Sequence, residues 1–400
     1  MENLSVVVIG AGPAGASAAS SLAKAGVDVL LVDQCRFPRD KVCGDGLTPA
    51  ALAELERLGL REAIAGSTNA VSGCALFGPS GAHFEARSES SGLVMPRERL
   101  DELLHRRACE AGAKFLEARV ADLQVGPDAV TLTTAGGERL RAPLAIVASG
   151  SHSSLPLKAG LQGQPAANAV ARRAYFENVR WDPTRLLFCY AKDLLPGYGW
   201  VFPLGDGRAN VGVGYFLKEG RPPELDRVWQ EFQGWLREQG VFGDQTRPLS
   251  KVGTAQMRTG LQRNRLVGDR LLLAGDSAAA INPLSGEGIS QALRTGRFAA
   301  DAAQAALRSG DFSKRALSSY TVAVRSEFAN VGSYRAMKWL LQSPSLVDAV
   351  VWAARERPEV GTALYEALIG VREPKAAIAR CVAGIAASGL ARARRALRPG

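Results

Sequence analysis

Residues 6–33 constrain this chain more than any other stretch. Val6-Val7-Val8-Ile9 is an unbroken apolar run of the kind that forms a strand covered on both faces. Gly10-Ala11-Gly12-Pro13-Ala14-Gly15 follows at once, and small residues continue to Ala23. A second apolar run, Val29-Leu30-Leu31-Val32, ends on Asp33. The pattern predicts a βαβ unit whose helix packs its small-residue face, from Ala14 onward, on the sheet. Gly10 permits the tight turn, Gly12 lets the backbone approach a pyrophosphate, and Gly15 lets the helix lie close to the strand. The helix start offers free N–H groups and a positive dipole end to phosphate. Asp33 stands where a carboxylate accepts from ribose hydroxyls.

Such a turn does not say which dinucleotide it holds, because FAD and NAD both bind this way. No second G-x-G-x-x-G follows a strand later in the chain. The sequence therefore predicts one permanent dinucleotide site and no separate Rossmann domain for NAD(P)H. A flavin outreaches one βαβ unit, so another segment must hold its ring. "LLLAGDSAAAINPLSGEGI" (271–289) fits that task. Its strand ends on Asp276, which can accept from ribityl hydroxyls. Pro283 leads into Gly286-Glu287-Gly288 and Ile289, where a helix opens and can offer N–H groups to the N1–C2=O edge. That helix end would stabilise negative charge on the reduced ring.

Four stretches then carry a resemblance: residues 10–15, "FPRDKVCGDGLTP" (37–49), "PGYGWVFPLGDGRANVGVG" (196–214) and "AGDSAAAINPLSGEGI" (274–289). In this order the chain resembles the geranylgeranyl reductase family, within the p-hydroxybenzoate-hydroxylase-like flavoproteins. It is most similar to the branch that reduces one prenyl double bond of menaquinone. The resemblance implies that Asp33 holds the adenosine ribose, Arg97 reaches the FAD phosphates, and Val120 contacts adenine through its backbone. It also implies that Asp276 binds the ribityl chain, that Gly288 and Ile289 face the isoalloxazine, and that Cys43 and Gly44 lie beside it. One departure stands out: many relatives end a nucleotide-domain strand with Ala-Asp-Gly, and here it reads Ala148-Ser149-Gly150. That removes a carboxylate near the cofactor.

The expected fold is α/β: a Rossmann-like FAD-binding domain of the glutathione-reductase/p-hydroxybenzoate-hydroxylase type, an antiparallel β-sheet substrate domain and a C-terminal helical region. The FAD-binding domain is expected to be discontinuous, over 1–66, 91–165 and 258–305. The sheet domain takes 67–90 and 166–257, with a hairpin at "SGCALFGPSGAHFEARS". "LDRVWQEFQGWLREQG" (225–240) reads as an amphipathic helix covering that sheet. Residues 306–400 read as helices, either a cap on the other domains or the lining of a long apolar tunnel.

Tyr198 and Trp200 are two apart on a strand and share a face. Either they clamp an apolar substrate opposite the flavin or they are core aromatics. Cys43 either donates a proton during catalysis or packs beside the ring; an ordinary thiol can do either. Arg39 and Lys41 either meet cofactor or substrate phosphates or cap their loop. The expected activity is FAD-dependent reduction of an isoprenoid carbon–carbon double bond, in menaquinone, a geranylgeranyl group or a related lipid. NAD(P)H or another electron donor would supply the electrons. The alternative on the same scaffold is a monooxygenase or another natural-product-tailoring oxidoreductase. Tyr198-Gly199-Trp200-Val201-Phe202-Pro203 differs from the W-x-W-x-I-P signature of flavin halogenases. A flavin carrier without turnover would leave the aromatic strand and Cys43 without purpose.

The remaining composition excludes more than it adds. The six cysteines form no C-x-x-C pair and the three histidines are scattered, so no metal site is expected. The start shows no signal peptide and no uncharged apolar run reaches the ~20 residues of a membrane span. A cytoplasmic protein is the expectation. The net charge is +10, densest at Arg372, Lys375, Arg380, Arg392, Arg394, Arg395 and Arg398. That basic end is either a solvated tail or a contact with the inner face of a membrane. No recognition motif for nucleic acid accompanies it.

Overall fold

The computed structural model describes residues 4–65, 68–161, 167–217, 224–261 and 264–396. Its first sheet is built as the apolar runs require. Val6–Ile9 lies between Val29–Asp33 and Leu144–Val147, parallel to both. Lys114–Glu117 extends the sheet beyond Val29–Asp33, and Leu271–Leu273 extends it beyond Leu144–Val147, again in parallel. Val267–Gly268 closes that edge antiparallel. Val6–Ile9, Val29–Asp33, Leu144–Val147 and Leu271–Leu273 are buried at every residue, which is why they read as continuous apolar runs.

The helix Pro13–Lys24 packs on this sheet, and the helix Ile289–Ser309 packs along it. Their approach depends on small residues. A Cβ on Gly296 would stand 2.1 Å from the Ala14 carbonyl oxygen, so only glycine fits that crossing. The two helices, 276 residues apart at the Ser17–Leu293 hydrogen bond, thereby bring both expected flavin-holding segments to one edge of one sheet. A three-stranded meander, Val120–Val125, Val130–Thr134 and Arg139–Ala142, packs beside them.

The second sheet has nine strands, and it corrects one expectation. It is mixed, not antiparallel: Arg185–Cys189 runs parallel to Asn69–Phe77. Asn69–Phe77 and His83–Val94 do form the expected hairpin, and Ala169–Glu177, Tyr198–Gly205 and Arg208–Phe216 pair antiparallel as expected. The parallel pair arises because its two strands come from distant segments, so no tight turn dictates their direction. Gly46–Leu47 also pairs with His83–Val94, so the Cys43 loop enters this sheet rather than staying in the nucleotide-binding part.

Period-two alternation gives each face of the sheet a different cover. Tyr198, Trp200 and Phe202 point to one face and join a cluster with Val351, Leu364 and Tyr365 of the C-terminal helices. Val201 points to the other, where the helix Leu225–Glu238 buries Val228, Trp229, Phe232 and Leu236. Each fully buried aliphatic or aromatic side chain contributes roughly 1.5–3 kcal/mol. Five helices follow residue 317: Ser318–Glu327, Val331–Leu340, Pro344–Glu356, Pro358–Leu368 and Pro374–Ala396. Among the described residues no helix is long and apolar enough to cross a membrane. The side chains of Arg392, Arg394, Arg395 and Arg398 lie outside the described residues.

Candidate functional site

The glycine turn has the shape the sequence implies. Gly10 has φ +100°, and a Cβ there would meet the Ala148 carbonyl oxygen at 2.4 Å. No side chain caps the N-terminus of Pro13–Lys24, leaving its first N–H groups to a ligand. Arg39 stands over this end: its Nη2 lies 3.7 Å from where a Gly12 Cβ would be. The guanidinium is held by Asp101 at 2.9 Å and over the Phe37 ring at 4.9 Å. Asp33 accepts from Ala11 N at 2.7 Å and Cys35 N at 3.0 Å, so it braces the turn as well as facing it. Val120 opens its meander strand and is half-buried against the same core, outside the cavity described below.

The second segment closes from the other side of the chain. Asp276 accepts from Lys41 Nζ at 3.3 Å and from Ser151 Oγ at 3.1 Å. Burial opposes its charge, but the Lys41 ammonium, the Arg97 guanidinium and these hydrogen bonds hold its carboxyl below the usual range. Ser149 Oγ and Ser277 Oγ meet at 3.4 Å, so hydroxyls occupy this strand end. The loop after Pro283 is pinned by Asn282, whose Oδ1 accepts from Leu284 N at 2.9 Å. The helix Ile289–Ser309 starts at Gly288, which supplies no cap of its own, and the Glu287 carboxylate accepts from Ser290 N at 2.8 Å in its first turn.

Between the two lies a cavity of about 200 Å³. Of the residues singled out from the sequence, Lys41, Cys43, Gly44, Arg97, Tyr198, Trp200, Asp276, Gly286, Gly288 and Ile289 line it. Gly10, Gly12, Ala14, Gly15, Asp33, Arg39 and Val120 do not line it. Pro283 lines a separate, more polar cavity behind the loop, with Glu287 and Arg294. Most of the remaining cavity wall is apolar, including Val71, Leu93, Leu186, Phe188, Phe202 and Met257, with Asp45, Thr48, His152, Gln256 and Glu287 as polar members.

A buried polar network underlies the Cys43 loop, and no periodicity in the residue pattern predicts it. Asp45 is 0% exposed and adopts φ +66°. Its carboxylate accepts from Tyr175 Oη and Asn210 Nδ2, both at 2.7 Å, and from Arg97 N at 3.3 Å. Burial raises its pKa to about 6, against the opposing pull of those hydrogen bonds and of Arg173 and Arg97. Arg97 is itself clamped by Asp101 through 2.7 and 2.8 Å bonds. The one part of this network that a local pattern encodes is the Arg97–Asp101 pair, four apart on a helix. Burial pushes the Cys43 thiol above its ordinary pKa, with Arg97 pulling the other way, so it stays protonated at neutral pH. Tyr198 Oη donates to the Ser285 carbonyl, which ties the aromatic strand to the flavin-facing loop.

An open helix N-terminus, a guanidinium beside a side-chain-free turn and a carboxylate on the second segment suit an extended diphosphate cofactor carrying polyol groups. The fold and site together define an FAD-dependent oxidoreductase. Residues 3–330 match the FAD binding domain family. The chain is 38% identical to a menaquinone reductase of Mycobacterium tuberculosis over 319 residues, covering 75% of this chain and 76% of that protein. It is 34% identical to digeranylgeranylglycerophospholipid reductase 1 of Methanopyrus kandleri over 333 residues, covering 81% and 86%. The crystal structure of a geranylgeranyl bacteriochlorophyll reductase-like protein from Thermoplasma acidophilum superposes with a TM-score of 0.80 at 27% identity, covering 89% and 92%. This chain belongs to the FAD binding domain family, in the group that holds these prenyl reductases.

Proposed function

We propose that the protein saturates a carbon–carbon double bond in the prenyl chain of a quinone or lipid. One observation carries this reading: charged Lys41, Arg97 and Asp276 meet a cavity whose wall is mostly apolar, so it suits a hydrocarbon chain laid against a charged cofactor. The names of the relatives point the same way. Bound and reduced, FAD would supply hydride chemistry toward one alkene carbon. Cys43 then gives its thiol proton to the other carbon. The resulting thiolate is stabilised by the neighbouring Arg97 guanidinium until solvent returns the proton. Trp200 and Phe202 exclude water and set the chain's path. Tyr198 is committed to Ser285 and acts by positioning.

In this reading Asp33 and Arg39 meet the adenosine diphosphate part, Val120 the adenine, Asp276 the ribityl chain, and Gly288 and Ile289 the ring. The electrons come from NAD(P)H or another soluble donor, which an anaerobic bleaching assay identifies. The basic C-terminus gives peripheral contact with an anionic membrane. Exposed Trp339 and Val382 on neighbouring helices support this, and co-sedimentation with anionic vesicles tests it.

The deciding experiment is anaerobic turnover of reduced holoenzyme with menaquinone or a geranylgeranyl lipid, followed by mass spectrometry. A gain of two hydrogens is expected, and Cys43→Ala should slow that step by about 10²-fold or more. A product formed only in air and carrying one added oxygen establishes the monooxygenase instead.

A further inference from the structure

The cavity wall supplied by the C-terminal helices carries a polar atom that the protein leaves unmatched. Tyr365, on the helix Pro358–Leu368, is 0% exposed and lines the cavity together with Leu368 and Ile369. Its hydroxyl is buried and has no hydrogen-bond partner among the described residues. Two other phenols are treated differently: half-buried Tyr198 donates to the Ser285 carbonyl and buried Tyr320 to that of Leu273. Around Tyr365 the packed cluster is apolar, with Val71, Cys74, Leu76 and Phe84. An unmatched buried hydroxyl is unfavourable, and phenylalanine would fill the same space without that penalty.

We infer that Tyr365 determines substrate specificity, its phenol donating a hydrogen bond to an oxygen of the bound lipid: a quinone carbonyl or an ether oxygen beside the prenyl chain. The inference rests on the proposed reading of the cavity as a prenyl-lipid site. Burial raises the phenol's pKa well above its ordinary value, so it remains a donor at neutral pH. Tyr365 also lies beyond residues 3–330, outside the part of the chain shared with the FAD binding domain family. The family's common scaffold supplies the cofactor site. This helix supplies a wall that can differ between enzymes acting on different lipids.

The test is binding to oxidised Tyr365→Phe holoenzyme, read from the flavin's fluorescence and absorbance. The probes are menaquinone, a digeranylgeranylglyceryl ether and squalene, a polyprenyl hydrocarbon without oxygen. The Kd of an oxygen-bearing probe should rise about tenfold while that of squalene stays unchanged. A rise for menaquinone alone assigns the acceptor as a quinone carbonyl, and a rise for the ether alone assigns it as an ether oxygen. Unchanged Kd for every probe overturns the inference, and so does an equal loss for squalene. The lipid-free variant should also melt higher than the parent, because the unmatched hydroxyl is gone. Lower stability or failure to fold shows that the protein satisfies the hydroxyl itself, and sinks the idea. If wild type binds these lipids through Tyr365 yet saturates none of them, the proposed reaction fails and the binding role stands.

Discussion

Asn210 ties Trp200 to Cys43. Its Oδ1 accepts from Trp200 Nε1 at 3.0 Å, and its Nδ2 donates to the Cys43 carbonyl at 2.7 Å and to Asp45 Oδ2 at 2.7 Å. One buried amide therefore fixes the distance between the aromatic wall and the cysteine loop. Asn210→Leu leaves three polar groups without this partner, each costing about 1–3 kcal/mol if nothing replaces it. The variant is expected to lose about 3 kcal/mol or more of stability in urea unfolding and to slow prenyl reduction more than it weakens FAD binding. A variant with parental stability and turnover would show that the amide is dispensable.

Asp45 should make stability depend on pH in a defined window. The groups facing it are Tyr175, Asn210, Arg97, Arg173 and Cys43. Its folded pKa of about 6 lies above the ordinary 3.8, so the native chain keeps a proton that the unfolded chain releases between those values. Its contribution is full below about pH 4 and is lost as pH rises through 6. Relative to Asp45→Asn, the apoprotein should lose roughly 2–3 kcal/mol across that window, from the linkage constant per pKa unit. Chemical denaturation of both proteins from pH 4 to 8 measures it. A difference that stays flat with pH removes the argument.

Asp276 should matter for cofactor retention. Asp276→Ala removes the acceptor of Lys41 and Ser151 and, in the proposed reading, the ribityl contact. The Kd for FAD is expected to rise about 10- to 100-fold, corresponding to one or two hydrogen bonds with charged groups. Gel filtration with absorbance at the flavin band reads this directly. A variant that elutes as yellow as the parent contradicts the assigned role.

Gly296 should be intolerant of even one methyl group. The alanine Cβ would sit 2.1 Å from the Ala14 carbonyl oxygen and force apart the helices Pro13–Lys24 and Ile289–Ser309. Overpacking of this kind costs about 1–3 kcal/mol. Because those helices carry the two cofactor-facing ends, Gly296→Ala should lower both the melting temperature and FAD occupancy. An unchanged melting temperature would mean that the helices separate freely.

The sequence by itself determined the nucleotide turn, the strand ending on Asp33 and the second glycine loop, although Asp276 sits in a 3₁₀ turn past the strand Leu271–Leu273 rather than ending it. These are local: a strand end, a positive φ or an open helix start needs particular residue types within a few positions, so Gly10 and Asp276 were legible. The shared face of Tyr198, Trp200 and Phe202 was equally legible, because strand periodicity fixes it. Tertiary structure alone decided the partners. Asp45 meets Asn210 across 165 residues and Tyr175 across 130, and no local pattern encodes such pairs. The parallel pairing of Arg185–Cys189 with Asn69–Phe77 and the arrival of Tyr365 at the cavity wall follow from packing between distant segments. Backbone sterics act over neighbouring residues and leave their mark in sequence, whereas the burial of a polar group is settled only when remote surfaces close on it.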